Sequence, residues 1–257
     1  MASSIMGANH TNGNGSALDG SHPQGSTSQI PVDAIICASV HIHGLNPHGQ
    51  VGLEKSCRTH GGSILKNTFD KGQEGWCSYD YHGSVTGGKN IFIMTTHERS
   101  GGVNDSGYVW CDEHRWSADT PEAPVSILPL IYYRTWAGDG PVDLRGAKVS
   151  VYLRGDNLDL YGADCLFWVH SHDTRWHFNS NPLEISDGKW SDRPNTLTLK
   201  NDESLWHMSW TGRSEGPASL DALLKDADSY GFSFVGVTDE ARGRLSMDEL
   251  EIKLTSE

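Results

Sequence analysis

From Ser63 onward the chain alternates short apolar runs with clusters of Gly, Asp, Asn and Pro. The runs are "SILKNTF", "NIFIMTTH", "GYVWCD", "VSILPLIYYR", "AKVSVYLRG", "ADCLFWVHSH", "TLTLK", "GFSFVGVT" and "LSMDELEIKL". Runs of this length, rich in β-branched and aromatic residues and separated by turn formers, predict eight or nine strands. The near absence of helical segments between them favours antiparallel sheets, an all-β sandwich, over a βαβ architecture. One segment departs from period two. In "PASLDALLKDADSYG", Leu220, Leu223, Leu224 and Ala227 fall on one helical stripe after a candidate Ser219 cap, and Gly231 reads as the stop. This predicts one short helix closing an end of the sandwich.

Residues 1–30 are nearly all Gly, Ser, Asn, His and Thr. Such a segment buries too little apolar surface to offset chain entropy and is expected to be a disordered tail. Residues 31–62 form an N-terminal extension whose "VDAIICASVHIHG" suggests an outer strand, and residues 63–257 carry the β domain.

Alternate side chains of a strand point to opposite sides, so each run divides into two faces. Val109 and Cys111, Ile127 and Ile131, Val149, Val151 and Leu153, and Cys165, Phe167 and Val169 form apolar sets suited to the space between two sheets. The opposite sets are Tyr108, Trp110 and Asp112; Tyr132, Arg134 and Trp136; and Trp168, His170 and His172. If these three strands are neighbours in one sheet, its outer face presents aromatic rings beside Arg, Asp and His. Ring faces stack on sugar C–H patches or flat ligands while a few polar groups fix orientation. The competing reading is that these aromatics are covered by the N-terminal segment or the helix. Trp206, His207 and Trp210 either border the same cleft or anchor the loop that follows them.

Charge and cysteine usage narrow the classes. The formal net charge is −13, with 33 acidic against 20 basic side chains, so a nucleic-acid backbone is repelled. The start lacks a basic region followed by an apolar core, and no stretch approaches ~18 apolar residues, so the expectation is a cytoplasmic protein without a membrane partner. The five cysteines are odd in number and widely spaced, without CxxC, which reads as buried thiols rather than a disulfide framework or zinc knuckle. GxSxG, HExxH and GxxxxGK[ST] are absent. "HSHDTRWHF" crowds His170, His172, His177 and Asp173 together, and His170 with His172 on one face is a weak transition-metal pair, as is "HIH" at His41 and His43.

The segment "NTFDKGQEGW", Asn67 to Trp76, is similar to the opening strand of galactose-binding-like β jelly rolls, in which a pattern close to N-x-x-F-[ED]-x-G-x-x-G-W begins many carbohydrate-binding modules. "LSMDELEIKL" resembles their closing strand. The resemblance implies that the first and last strands pair, that a structural calcium sits beside them with Asp70 and Asp248 as acidic ligands, and that a glycan binds on a sheet face or at loop tips. Calcium takes six to eight oxygen ligands, and Lys71 beside Asp70 departs from that setting. Related jelly rolls include calcium-dependent cyclases of natural products. Two functions therefore stand open. One is binding of a carbohydrate or other polyhydroxylated small molecule, with Tyr108, Trp110, Tyr132, Trp136, Trp168 and His172 lining the site. The other is a cyclase, lyase or isomerase in the same cleft, with Asp112 or His170 as acid or base and Arg134 stabilising negative charge.

Overall fold

Period-two alternation lets two sheets each bury one face against the other, and the computed structural model shows this arrangement for residues 36–37, 63–81, 91–118, 126–236 and 240–255. All of these fall within the unit Ala34–Glu257. The expected tail, most of the extension and the "HIH" pair lie outside the described residues.

In chain order the strands are β1 (Ile36–Cys37), β2 (Ile64–Asn67), β3 (Trp76–Tyr81), β4 (Ile91–Met94), β5 (Thr96–Glu98), β6 (Tyr108–Asp112), β7 (Ser117–Ala118) and β8 (Ser126–Tyr133). They continue with β9 (Lys148–Asp159), β10 (Asp164–Ser171), β11 (Thr174–Phe178), β12 (Ser186–Asp187), β13 (Asn195–Thr198) and β14 (Trp206–Thr211). Helix α1 (Leu220–Lys225), β15 (Ser229–Val235) and β16 (Arg242–Lys253) complete the set. The larger sheet has the order β1-β4-β3-β8-β15-β10-β11-β14, with β7 beside β8; the smaller has the order β12-β9-β16-β6-β5, with β13 on β9 and β2 on β16. The fold is a β-sandwich jelly roll. Its core holds Val109, Cys111, Val149, Val151, Leu153, Cys165, Phe167, Phe232, Leu245 and Met247, all buried.

The first and last strands of the domain pair antiparallel, Leu250 opposite Asn67. The opening motif is explained by its contacts. Asn67 Oδ1 accepts from Trp76 Nε1 at 3.2 Å, and Asn67 Nδ2 donates to Glu74 at 3.0 Å. Phe69 and Trp76 are fully buried. Gly75 has φ +86°, and a Cβ there would meet the Tyr132 ring at 3.0 Å, so both backbone and space require glycine.

Two sequence expectations fail for identifiable reasons. In β8 the alternation is interrupted: Ile127 pairs with Phe234 and Leu130 with Phe232, leaving Leu128 and Pro129 opposite the single residue Ser233. This is a β-bulge, and Pro129, which has no N–H to give the ladder, sits in it. The extra residue reverses the faces beyond it, so Leu130 and Tyr132 enter the core whereas Ile131 joins Leu128, Cys77 and Trp168 in a second apolar cluster. The inward assignment of Ile131 and the outward assignment of Tyr132 are thereby corrected. Helix α1 begins as expected, with Ser219 accepting from Ala222 N, but ends at Lys225. Gly231 is not its stop. It lies within β15, where a Cβ would collide with the Leu130 carbonyl and touch Trp168.

Cys77, Cys111 and Cys165 are free and buried. Burial pushes the Cys111 thiol up to about 12, so it behaves as a small apolar group that donates to the Pro129 carbonyl at 2.7 Å. Because the bulge sets the faces of β8, Tyr132→Ala is expected to cost about 3–5 kcal/mol by loss of packing in the core. Tyr133→Ala, one residue on and facing outward, should cost much less. Urea unfolding of the two variants checks the difference.

Candidate functional site

The antiparallel register of the larger sheet lines up one row of side chains across five strands. Tyr133 is opposite Ser229, Ser229 opposite His170, His170 opposite Arg175, and Arg175 opposite Trp210. Residues directly opposite in a ladder share a face, so these five side chains form one transverse strip on the outer face. Four inter-strand spacings make it ~19 Å long. Trp210 is exposed, Tyr133, His170 and Arg175 are half-buried, and Ser229 is buried. His170 and Trp210 have ring centroids 6.0 Å apart.

His170 is held rather than loose. Its Nδ1 lies 2.9 Å from Asp228 Oδ1, and the Ser229 hydroxyl donates to the same carboxylate oxygen at 2.9 Å. A carboxylate only accepts, so Nδ1 carries a proton and Nε2 is the nitrogen turned to other partners. Arg175 is anchored through Nε to Ser209 Oγ at 3.3 Å, and its guanidinium lies 5.6 Å from the Trp168 ring.

Beside the strip, on the same face of the sheet, runs a second row in which Ile131, Gly231, Trp168, His177 and His207 are successive partners. Trp168 is 2% exposed and donates Nε1 to the Phe232 carbonyl at 3.0 Å. His177 is fully buried and neither ring nitrogen has a hydrogen-bond partner. Burial, with Arg175 and His207 adding like charge, pushes its pKa down to about 3, so it stays neutral.

The sequence-predicted site residues are not brought together. Strand β6 belongs to the smaller sheet, while β8 and β10 belong to the larger and are separated by β15. Tyr108, Trp110 and Asp112 do face outward, but on the other side of the molecule. There Trp110 lies between Arg115 and Arg244, each guanidinium 4.7 Å from its ring, and Arg154 covers Tyr108 at 4.8 Å and Trp190 at 4.6 Å. Asp112 pairs with Arg115 at 3.4 Å, and Asp156 pairs with both Arg244 and Arg154 at 2.8 and 3.3 Å. The stacking faces are taken by this arginine ladder.

On the larger sheet, Tyr132 is in the core, stacked on Tyr230 at 5.3 Å, with its hydroxyl donating to Asp139 at 2.8 Å. Arg134 is buried and donates Nε to the Gly140 carbonyl at 2.6 Å, pinning the turn after β8. Trp136 is exposed on that turn. His172 is not on the strand face with His170. It and Asp173 form the two-residue loop between β10 and β11, both at positive φ, as a type I′ hairpin requires. Asp112, His170 and Arg134 therefore occupy three separate places and build no common acid–base cleft. Trp168 and His170 alone of the expected set stand on the strip and its neighbouring row. Trp206 is a core residue, while His207 and Trp210 reach the outer face. Arg175, Ser229 and Tyr133 were missed. The alternation Arg175, His177 against Trp176, Phe178 in "TRWHF" was the available signal for the first.

The calcium expected at Asp70 and Asp248 is tested by what those carboxylates touch. Asp248 is buried and accepts from Val103 N at 2.7 Å, Ser106 Oγ at 2.8 Å and Glu249 N at 2.6 Å. These three donors occupy the carboxylate oxygens and favour its charged form, although burial outweighs them and pushes its pKa up. The Phe69 carbonyl receives His97 Nε2 at 2.6 Å, and Asp70 is exposed and bonded to Thr68. Among the described residues no three His, Cys, Asp or Glu side chains are placed to share a metal ion. This set does not fit calcium; Asp248 instead ties the 101–106 loop to β16.

The fold is a jelly-roll β-sandwich whose larger sheet carries a row of aromatic and polar side chains on its outer face. No family model and no curated protein matches the chain. Among solved structures it is similar to the family 11 carbohydrate-binding module from Clostridium thermocellum in complex with a β-1,3-1,4-mixed-linked tetrasaccharide, at 13% identity and TM-score 0.43, covering 77% of this chain and 99% of that one. It is also similar to the CBM22-1 xylan-binding domain from Paenibacillus barcinonensis Xyn10C, at 14% identity and TM-score 0.41, covering 78% and 99%. A third is an exo-β-agarase, at 11% identity and TM-score 0.39, covering 63% of this chain and 22% of that one.

Two measurements check the site's electrostatics. A histidine neutral in the fold down to about pH 3 but protonated in the unfolded chain below ~6.5 stabilises fully above that pH, and its contribution is lost as pH falls toward 3. Between pH 6.5 and 4.5, His177→Gln should flatten the decline in stability by up to about 1.4 kcal/mol per pH unit. Asp248→Ala leaves Val103 N and Ser106 without their acceptor and is expected to cost about 1–3 kcal/mol or more, whereas millimolar calcium should leave the melting temperature of the unaltered protein unchanged.

Proposed function

We propose that this protein is a carbohydrate-binding module whose ligand is an extended sugar chain lying along the strip from Tyr133 to Trp210. The observation that carries the reading is the register itself, which sets aromatic rings at both ends of a row and Ser229, His170 and Arg175 between them. Sugar rings offer apolar C–H faces and polar hydroxyl edges, so alternating stacking and hydrogen-bonding groups over ~19 Å match an oligosaccharide several rings long. Trp210 supplies a stacking surface, and His170 Nε2 and the Arg175 guanidinium offer an acceptor and donors for hydroxyls. His170, oriented by Asp228, is preorganised, which limits the ordering cost of binding.

The test is isothermal titration calorimetry with a mixed-linked β-glucan tetrasaccharide, xylotetraose and an agaro-oligosaccharide. At least one should bind, and Trp210→Ala and His170→Ala should each weaken it about tenfold or more, in line with the loss of a well-placed contact. Trp110→Ala, on the arginine ladder, should leave affinity unchanged. Loss of binding in Trp110→Ala with none in Trp210→Ala would move the ligand to the smaller sheet and sink the reading.

A further inference from the structure

On the smaller sheet, away from the strip, an open pocket of about 710 Å³ lies at the end where β13, β9 and β16 run side by side. The register sets Thr198 opposite Lys148 and Lys148 opposite Lys253, and in the next row Thr196 opposite Ser150 and Ser150 opposite Glu251. Lys200, Ser180 and Asn181 reach the same space, over a floor that includes Phe178 and Leu205. Two features mark it out. The pocket gathers three lysines against one carboxylate, Glu251, which is paired with Lys253 at 2.9 Å, in a protein whose net charge is −13. Moreover, Lys148 and Lys253 are direct cross-strand partners, a like-charge placement that costs stability unless an anion lies between them.

We propose that this pocket binds a sugar bearing an anionic group, a carboxylate or a phosphate, with the charge held by Lys148 and Lys200 and the ring hydroxyls met by Thr196, Thr198 and Asn181. The volume lies within the range of small-molecule sites, ~300–1,000 Å³, and suits one or two sugar rings. Hydroxyl and amide side chains around the lysines match a polyhydroxylated ligand better than a bare ion. An excess of two positive charges gives the anion its attraction, which salt will screen. This site is separate from the neutral-glycan strip and stands or falls without it.

The experiment is calorimetric titration of the full chain at low ionic strength with digalacturonate, glucose 6-phosphate, inorganic phosphate and glucose. At least one anionic sugar should bind more tightly than inorganic phosphate and glucose, and the affinity should fall with added salt. The double variant Lys148→Gln/Lys200→Gln should weaken it about tenfold or more, the scale of a lost charged hydrogen bond. Lys148→Arg/Lys200→Arg should retain most of it, and Trp210→Ala should leave it intact. The preferred anionic sugar identifies carboxylate or phosphate as the recognised group. No binding of either anionic sugar, binding unaffected by the Gln pair, or inorganic phosphate binding as tightly as both sugars would overturn the proposal. The lysines are exposed, so the Gln variant should fold, and its circular dichroism and melting temperature confirm that the loss is local.

Discussion

The ladder of backbone hydrogen bonds across β8, β15, β10, β11 and β14 is the constraint on which the candidate site depends. It is made by backbone groups, yet its register is fixed by side chains: large apolar residues of β15 and β10, such as Phe232 and Phe167, must meet the core, and a slip of one residue would turn every one of them to the other face. The bulge at Leu128–Pro129 adds the phase change that puts Tyr133 rather than Tyr132 in the outer row. A second shift in β14, between Arg175 and Trp176 of the partner strand, brings Trp210 opposite Arg175. Two local irregularities thus complete an otherwise regular row.

The two outer faces have the same residue types and opposite chemistry. On the smaller sheet Tyr108, Trp110 and Trp190 are each covered by a guanidinium, and Arg115, Arg154 and Arg244 each have a carboxylate partner. Such a closed set of cation–π and ionic contacts cements the loops around residues 101 and 190 to the sheet; Trp190 Nε1, for example, donates to the Gly101 carbonyl at 2.8 Å. On the larger sheet His170 has its Nδ1 side satisfied and Trp210 retains exposed surface. Aromatic content alone does not distinguish them; the state of the ring faces does.

Much of the fold was legible because the sandwich core obeys period two: the inward faces of β6, β9 and β10 were read correctly from Val109, Val151 and Phe167. The short motifs framing the domain also carried real geometry, since Asn67 accepts from the Trp76 indole and both Phe69 and Trp76 are buried. The site was legible only in part. Alternation says which way a side chain points but not which sheet its strand joins, and β6 goes to the sheet opposite β8 and β10. The bulge in β8 is written in the sequence only as Pro129, and the type I′ turn that removes His172 from the strand occurs at His-Asp, without the glycine that usually announces it. Asp248 kept the position of its motif while its partners became Val103, Ser106 and Glu249.

Backbone amide chemical-shift mapping during titration with a bound oligosaccharide tests the central claim most directly. The account predicts that the largest shifts fall on Tyr133, Ser229, His170, Arg175 and Trp210, residues distant in sequence and joined only by the register. Shifts centred instead on Tyr108, Trp110 and Arg244, with those five unmoved, would contradict it.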